Sequence, residues 1–183
     1  MKKISVPAIA LCLSTLLNAS VGMASDENFQ DSFPLLINDA DPAGTNLRQT
    51  PGGEVIAVIP SAPDGKIRQV RAVESRNGWF HVLAQEQAPV EGWMHSSVLA
   101  VCAYPTEDGN AALYAEAGGS GVPLCRVPST TPMRPLERKG DWLKVRYTAD
   151  SGKTTDAWML VYVANGSPSE LEECARALVR ADR

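Results

Sequence analysis

The chain has 183 residues, 44% of them hydrophobic and 21% charged, with a formal net charge of −4 and a pI near 5.2. That balance describes a chain that folds around a core and excludes a disordered or collagen-like one. It offers no bulk attraction for nucleic acid or for an anionic lipid surface.

The chain opens "MKKISVPAIALCLSTLLNASVGMAS". Lys2 and Lys3 precede an apolar run from Ile4 to Leu17, and Gly22 and Ala24 supply small residues before a cut at Ser25, so residues 1–24 read as a secretory signal peptide. The run is too short to span a bilayer comfortably, and no later run of about 18 apolar residues follows, so no integral membrane segment is expected after cleavage. A lipoprotein leader is the rival, but Cys12 follows Leu11, where such leaders want a small residue. Loss of Lys2 and Lys3 takes the net charge from −4 to −6. The two basic clusters that remain, "RPLERK" at 134–139 and "RALVRADR" at 176–183, are short and interleaved with acids, and read as solvated surface.

Export implies a periplasmic or secreted protein in an oxidising compartment. Cys102, Cys125 and Cys174 survive cleavage, which predicts one disulfide and one leftover thiol, with three pairings open. No Cys-x-x-Cys spacing brings two thiolates together, and His81 and His95 lie far from most of the cysteines in sequence, so no metal site and no cofactor are expected.

After a short N-terminal segment at 25–32, the periodicity is that of strands. "EVIAVIP", "KIRQVRAVES", "WFHVLAQ" and "WMHSSVLAV" contain Val- and Ile-rich runs of strand length. The turns "PGG", "APDG", "RNG" and "ERKGD" punctuate them. Asp41-Pro42 also reads as a turn, and Asp39, Asp41 and Glu54 lack the spacing of a calcium loop. Gly118-Gly119-Ser120-Gly121 is a turn as well, with no strand-to-helix context for a phosphate cradle.

The strand pattern occurs twice. "NLRQTPGGEVIAVIPS" is answered by "ALYAEAGGSGVPLCRVPS", "NGWFHVLA" by "GDWLKVRY", and "GWMHSSVLAV" by "AWMLVYVAN". Trp79 and Trp142 are 63 residues apart, Trp93 and Trp158 65, and Pro60 and Pro128 68. Each unit, at about 65 residues, is near the lower limit for an independent core, so the two copies are expected to share an interface.

These residues resemble the bacterial SH3-type (SH3b) domain family. Its usual pattern is D-G-x-x-N-L-R-x-x-P, then V-I-x-x-I-P, then N-G-W-x-x-V, then G-W-V-H-S-S-x-L. Here "NDADPAGTNLRQTPGGEVIAVIP", "NGWFHV" and "EGWMHSSVL" follow it closely. The second copy departs from it: Leu113-Tyr114 replaces the Leu-Arg pair and Leu160-Val161 replaces the His-Ser pair. The resemblance implies an all-β chain of two tandem small SH3-like barrels, at 33–101 and, diverged, at 102–165.

Residues 166–183 read as a short C-terminal helix. Ser167 is placed as N-cap, Pro168 at the first helical position and Glu170 reaching back, with Leu171, Cys174 and Leu178 on one stripe against the second barrel. Because SH3-like chains enter and leave a barrel on neighbouring strands, the resemblance favours a Cys102–Cys174 bond. Cys102–Cys125 is nearly as well supported, since both residues belong to early strands of one copy.

The segment His95-Ser96-Ser97 raises the question of a hydrolase. A serine nucleophile needs a base and a third group to orient it, and no G-x-S-x-G elbow is present, so this segment reads as the tight turn that the family places there, with no catalytic residue. Trp79 and Trp142 each begin a strand after a turn, where an indole is easily left half exposed; both lie where SH3 folds flank their peptide groove, with a core-capping role as the alternative. Trp93 and Trp158, in mid-strand, read as core. Val98 stands where eukaryotic SH3 domains often carry an aromatic contact, which argues against polyproline recognition. The expected ligand contacts are Trp79, Phe80, His95 and the loop at 61–66, with Trp142 in the second copy. The expected partner is peptidoglycan or its stem peptides, or else an envelope protein that the chain engages as adaptor or inhibitor. No enzymatic activity is expected, since two repeats and a helix use up the chain.

Overall fold

The computed structural model describes residues 31–61, 67–85, 88–103, 110–119, 121–128, 130–161 and 173–178. The expected signal peptide at 1–24, the expected helix-capping residues Ser167, Pro168 and Glu170, Leu171, and residues 62–66 of the loop after β3 lie outside that set.

The all-β expectation is borne out. Among the described residues twelve strands run in chain order as β1 (Phe33–Ile37), β2 (Thr45–Arg48), β3 (Val55–Ile59), β4 (Gln69–Arg76), β5 (Trp79–Ala84), β6 (Val90–His95), β7 (Leu99–Cys102), β8 (Asn110–Leu113), β9 (Cys125–Pro128), β10 (Pro132–Lys139), β11 (Trp142–Thr148) and β12 (Thr154–Leu160). Ten of them form one antiparallel sheet in the order β12-β11-β10-β7-β1-β4-β5-β6-β2-β3, and β8 and β9 pair separately.

The repeat in the sequence is a repeat in the hydrogen bonding. In the first unit β4, β5 and β6 form a meander and Arg48 of β2 pairs with Trp93 of β6. The second unit repeats this with β10, β11 and β12, and Tyr114 bridges to Trp158. The β4–β5 register slips between Ala72 and Glu74, and the β10–β11 register slips between Pro135 and Glu137, at matching positions. A bulge bends a strand and raises its twist, so the same bend curls both meanders.

β7 joins the units. It pairs with β1 through Leu36↔Ala100 and Ile37↔Leu99, and with β10 through Pro132↔Cys102 and Met133↔Val101. It therefore closes the first unit and opens the second. Strand alternation sends Leu99 and Val101 into the main core with Phe33, Leu47, Phe80, Met94, Leu143 and Met159, and sends Ala100 and Cys102 to the opposite face.

That opposite face is covered by the C-terminal helix at 173–178. Cys174 and Leu178 are buried against Leu36 and Ala100, with Ile67 and Cys102 beside them. The helix thus packs across β1 and β7 and not on the second barrel as its apolar stripe suggested, because β7 carries small residues on its outer face that leave room for it. Cys102 and Cys174 are joined as a disulfide with Cα atoms 5.8 Å apart, and Cys125 is free and half-buried.

The cluster "RPLERK" is not simply solvated surface. Arg138 donates from its backbone N–H to Ser75 Oγ at 2.6 Å and from its guanidinium to the carbonyl of Val73, and its charge lies 5.3 Å from the centre of the Phe33 ring. Val73 sits in the β4 bulge, so its carbonyl is left off the ladder, and Arg138 of the other unit satisfies it. Arg134 likewise crosses between units to Ser96. Among the described residues no helix is long and apolar enough to cross a membrane.

Candidate functional site

Trp79 is placed by the tightest kind of hairpin. Arg76 pairs with Trp79 across Asn77 and Gly78, which take φ of 51° and 78°, the double left-handed geometry that Asn-Gly supplies at least cost. The turn sets the register of β5, so Trp79 points outward half-buried and its neighbour Phe80 points inward. Phe80 is 0% exposed and belongs to the core. It is therefore not a ligand contact: the two-residue period of a strand allows only one of the pair on the surface.

His95 lies opposite Trp79 in the β5–β6 ladder, with ring centroids 5.0 Å apart in an edge-on arrangement. It also caps the 3-10 turn at Ser96–Val98: its Nδ1 accepts from the Ser97 N–H at 3.4 Å and lies 2.8 Å from Ser97 Oγ. Ser96 is held under this turn, its N–H donating to the Gly78 carbonyl at 2.8 Å and its hydroxyl accepting from Arg134 Nε and Nη2 at 3.2 and 3.0 Å. The segment is thus the tight turn that its sequence predicts. The close approach of Ser97 to His95 was not expected from adjacent positions, and it arises because the ring folds back as a cap. Among the described residues no carboxylate is hydrogen-bonded to the ring.

Burial pushes the His95 pKa below its ordinary value, and the positive charge of Arg134 pushes it the same way. The folded state therefore disfavours the proton. The stability that His95 contributes is present above about pH 6.5 and is lost as pH falls through its lowered value. Titration of the ring by NMR should give a pKa below that of an exposed histidine, and Arg134→Gln should raise it. An unshifted pKa in the parent protein would remove Arg134 from the electrostatics of this turn.

The third member of the cluster is Arg48, whose guanidinium carbon lies 6.0 Å from the centre of the Trp79 ring and whose Nη1 donates to the Gly53 carbonyl at 2.6 Å. Sequence reasoning noted Arg48 only as part of the family pattern. The signal available was its place directly after Leu47, since Leu47 is fully buried and alternation sends the next side chain outward.

The second unit copies the arrangement and closes it. Tyr114, at the position equivalent to Arg48, meets Trp142 edge-on with centroids 5.6 Å apart. Gly119 lies so close to the Trp142 ring that any Cβ there would clash with it. Trp142 is therefore half-buried under its own loop, whereas Trp79 is flanked by two polar, titratable or charged side chains. Trp93 is buried, stacked on His81 at 5.0 Å with Arg76 5.3 Å from its centre, and His81 pairs with Glu91 at 3.0 Å. Trp158 is half-buried with Lys144 6.0 Å from its ring, so it is less enclosed than its mid-strand place suggested.

The Asp41 segment is a turn, as expected. Asp39 Oδ1 accepts from the Asp41 N–H, Asp41 Oδ1 from the Ala43 N–H, and Asp39 Oδ2 from the Thr45 hydroxyl, so both carboxylates are engaged locally.

No family model matches the chain. No curated protein matches it at a significant level. Among solved structures it is similar to NlpC1 from Trichomonas vaginalis, at 15% identity and a TM-score of 0.28, over 85% of this chain and 51% of that one. The chain thus spans about half the length of that structure.

Proposed function

We propose that the chain is an exported, non-enzymatic tandem SH3b-type module that binds peptidoglycan, through its stem peptides, on the surface formed by Trp79, His95 and Arg48. The observation that supports this reading is the contrast between the two units: one half-buried indole is bordered by a cation and an imidazole, and its half-buried twin by a tyrosine ring and a glycine turn. A flat apolar ring bordered by donors suits a short peptide whose backbone carbonyls and carboxylates need partners. A disulfide and a leader-like N-terminus support an oxidising compartment. The role of His95 as a cap, with no carboxylate bonded to its ring among the described residues, supports a binding rather than a catalytic turn.

The protein is expected to pellet with purified sacculi, and to do so at both low and high salt. Trp79→Ala should weaken pelleting by about 1 to 3 kcal/mol, roughly 5- to 150-fold in affinity, while Trp142→Ala should change it little. Retention of the protein in the supernatant, with sacculi in excess, would end the wall-binding reading.

A second reading has its own observation. β3 is the last strand of the ten-stranded sheet, and Val55, Ile56 and Val58 on it are 45%, 48% and 49% exposed. An apolar sheet edge of this kind is where a partner protein adds a strand. If the chain is an adaptor or inhibitor of an envelope enzyme, Val58→Lys should abolish recovery of that enzyme in a pull-down and leave sacculus binding unchanged.

A further inference from the structure

Arg134 on β10 and Arg146 on β11 are directly opposed in the antiparallel ladder. Like charges directly across a strand pair repel and destabilise the pairing. The surroundings answer this for one of them only. Arg146 is held by Asp156 in a two-pronged contact, Nε to Oδ1 at 2.7 Å and Nη2 to Oδ2 at 2.9 Å. That contact raises the arginine pKa and lowers the aspartate's, each group favouring the charged form of the other. Arg134 has only the neutral hydroxyl of Ser96, and among the described residues no carboxylate reaches it.

Arg134 and Arg146 both line one cavity of about 250 Å³ at the junction of the two units. The polar residues Asn38, Ser97 and Thr148 line it, and so do the buried apolar residues Leu99, Met133 and Leu178. The combination is specific. A half-buried cation without a counter-charge favours an anionic ligand, and a guanidinium presents paired N–H donors that match the two oxygens of a carboxylate. The apolar lining favours a short aliphatic group attached to that carboxylate. The volume lies just below that of sites for drug-sized ligands, about 300 to 1,000 Å³, which suits a small ligand.

We propose that this junctional cavity is a second binding site, separate from the Trp79 surface, that takes a carboxylate carried on a small aliphatic group, with Arg134 as its anchor. Two sources carry that chemistry: the C-terminal end of a peptide and a free short-chain acid. Ser97 ties the cavity to the first site, since it lines the cavity and also bonds to His95.

The test is an NMR titration of the protein with three probes: N-acetyl-dialanine with a free carboxylate, the same compound as its C-terminal amide, and propionate. The free acid is expected to shift the amide resonances of Asn38, Ser97 and Thr148, and the amide compound is expected to leave them in place. Arg134→Met should weaken binding of the acid about tenfold or more, since hydrogen bonds to a charged group are lost. Because Arg134 also bridges the two units, a second variant is required: Thr148→Glu keeps the guanidinium and adds a repelling carboxylate, and it should abolish binding with an unchanged circular dichroism spectrum. Propionate binding as well as the dipeptide assigns a free acid, and dipeptide binding alone assigns a chain end; either supports the site. Equal shifts from acid and amide, or no loss in both variants, overturns it. Loss of sacculus pelleting in Trp79→Ala reads the other surface, so the two results are independent.

Discussion

Phe80→Ala is expected to cost about 3 to 5 kcal/mol of folding stability, the usual range for truncating a fully enclosed phenylalanine. Phe80 is 0% exposed, pairs with Met94 across β5 and β6, and lies in the cluster that includes residues of both units. Small domains are stable by about 5 to 15 kcal/mol in total, so the variant should sit close to unfolding at room temperature. The measurement is urea denaturation of parent and variant, in which the midpoint should fall with little change in slope. The same experiment distinguishes core from ligand contact. If Phe80 were a surface contact, the stability would change by less than about 0.5 kcal/mol and sacculus binding would fall instead. A partly folded Phe80→Ala protein should still bind in proportion to its folded fraction.

The contrast between Trp79 and Phe80 shows what the sequence made legible. The Asn77-Gly78 turn fixed which of two adjacent aromatics faces out, and that inference needed only the hairpin geometry and the alternation of a strand. The expectation that both would contact a ligand ignored that alternation. The duplication was also legible, because tryptophans recur with nearly constant spacing, and the matching bulges in β4 and β10 now give it a structural form. What the sequence could not supply was the junction. β7 serves both units, and its outer face of Ala100 and Cys102 is a docking place for the helix only because β1 lies beside it. Arg134 and Arg138 looked like solvated charges because their partners, Ser96, Val73 and Ser75, are more than thirty residues away. Long-range pairing of this sort leaves no local periodicity to read.

The asymmetry of the two units follows from one exchange. Arg48 and Tyr114 occupy equivalent places after a buried leucine, and each lies against the tryptophan that begins the middle strand of its unit's meander, Trp79 of β5 or Trp142 of β11. A cation and an imidazole give the first indole a polar border, whereas a tyrosine ring and a glycine turn give the second an apolar one. The two units therefore differ in what borders the tryptophan, which is half-buried in both. In that arrangement the second unit supports the first through β7 and the two arginines.

Removal of the disulfide by Cys174→Ser is expected to lower stability by about 2 to 5 kcal/mol, with the loop of 72 residues that it closes placing the chain-entropy value near 4 kcal/mol. The local consequence is as important as the global one. A helix of this length does not hold its form alone, so it depends on Cys174 and Leu178 staying on Leu36 and Ala100. Without the bond the helix should detach first, exposing Leu36 and Ala100 and opening the cavity that Leu178 lines, while the core around Phe80 stays protected from hydrogen exchange. Denaturation with and without reductant measures the global loss, and exchange at residues 173–178 measures the local one. Residues 25–183, unreduced and denatured, should show one titratable thiol, that of Cys125. Three thiols, or a midpoint indifferent to reductant, would mean that the helix is held by its two apolar contacts alone and that the bond adds nothing to the junction.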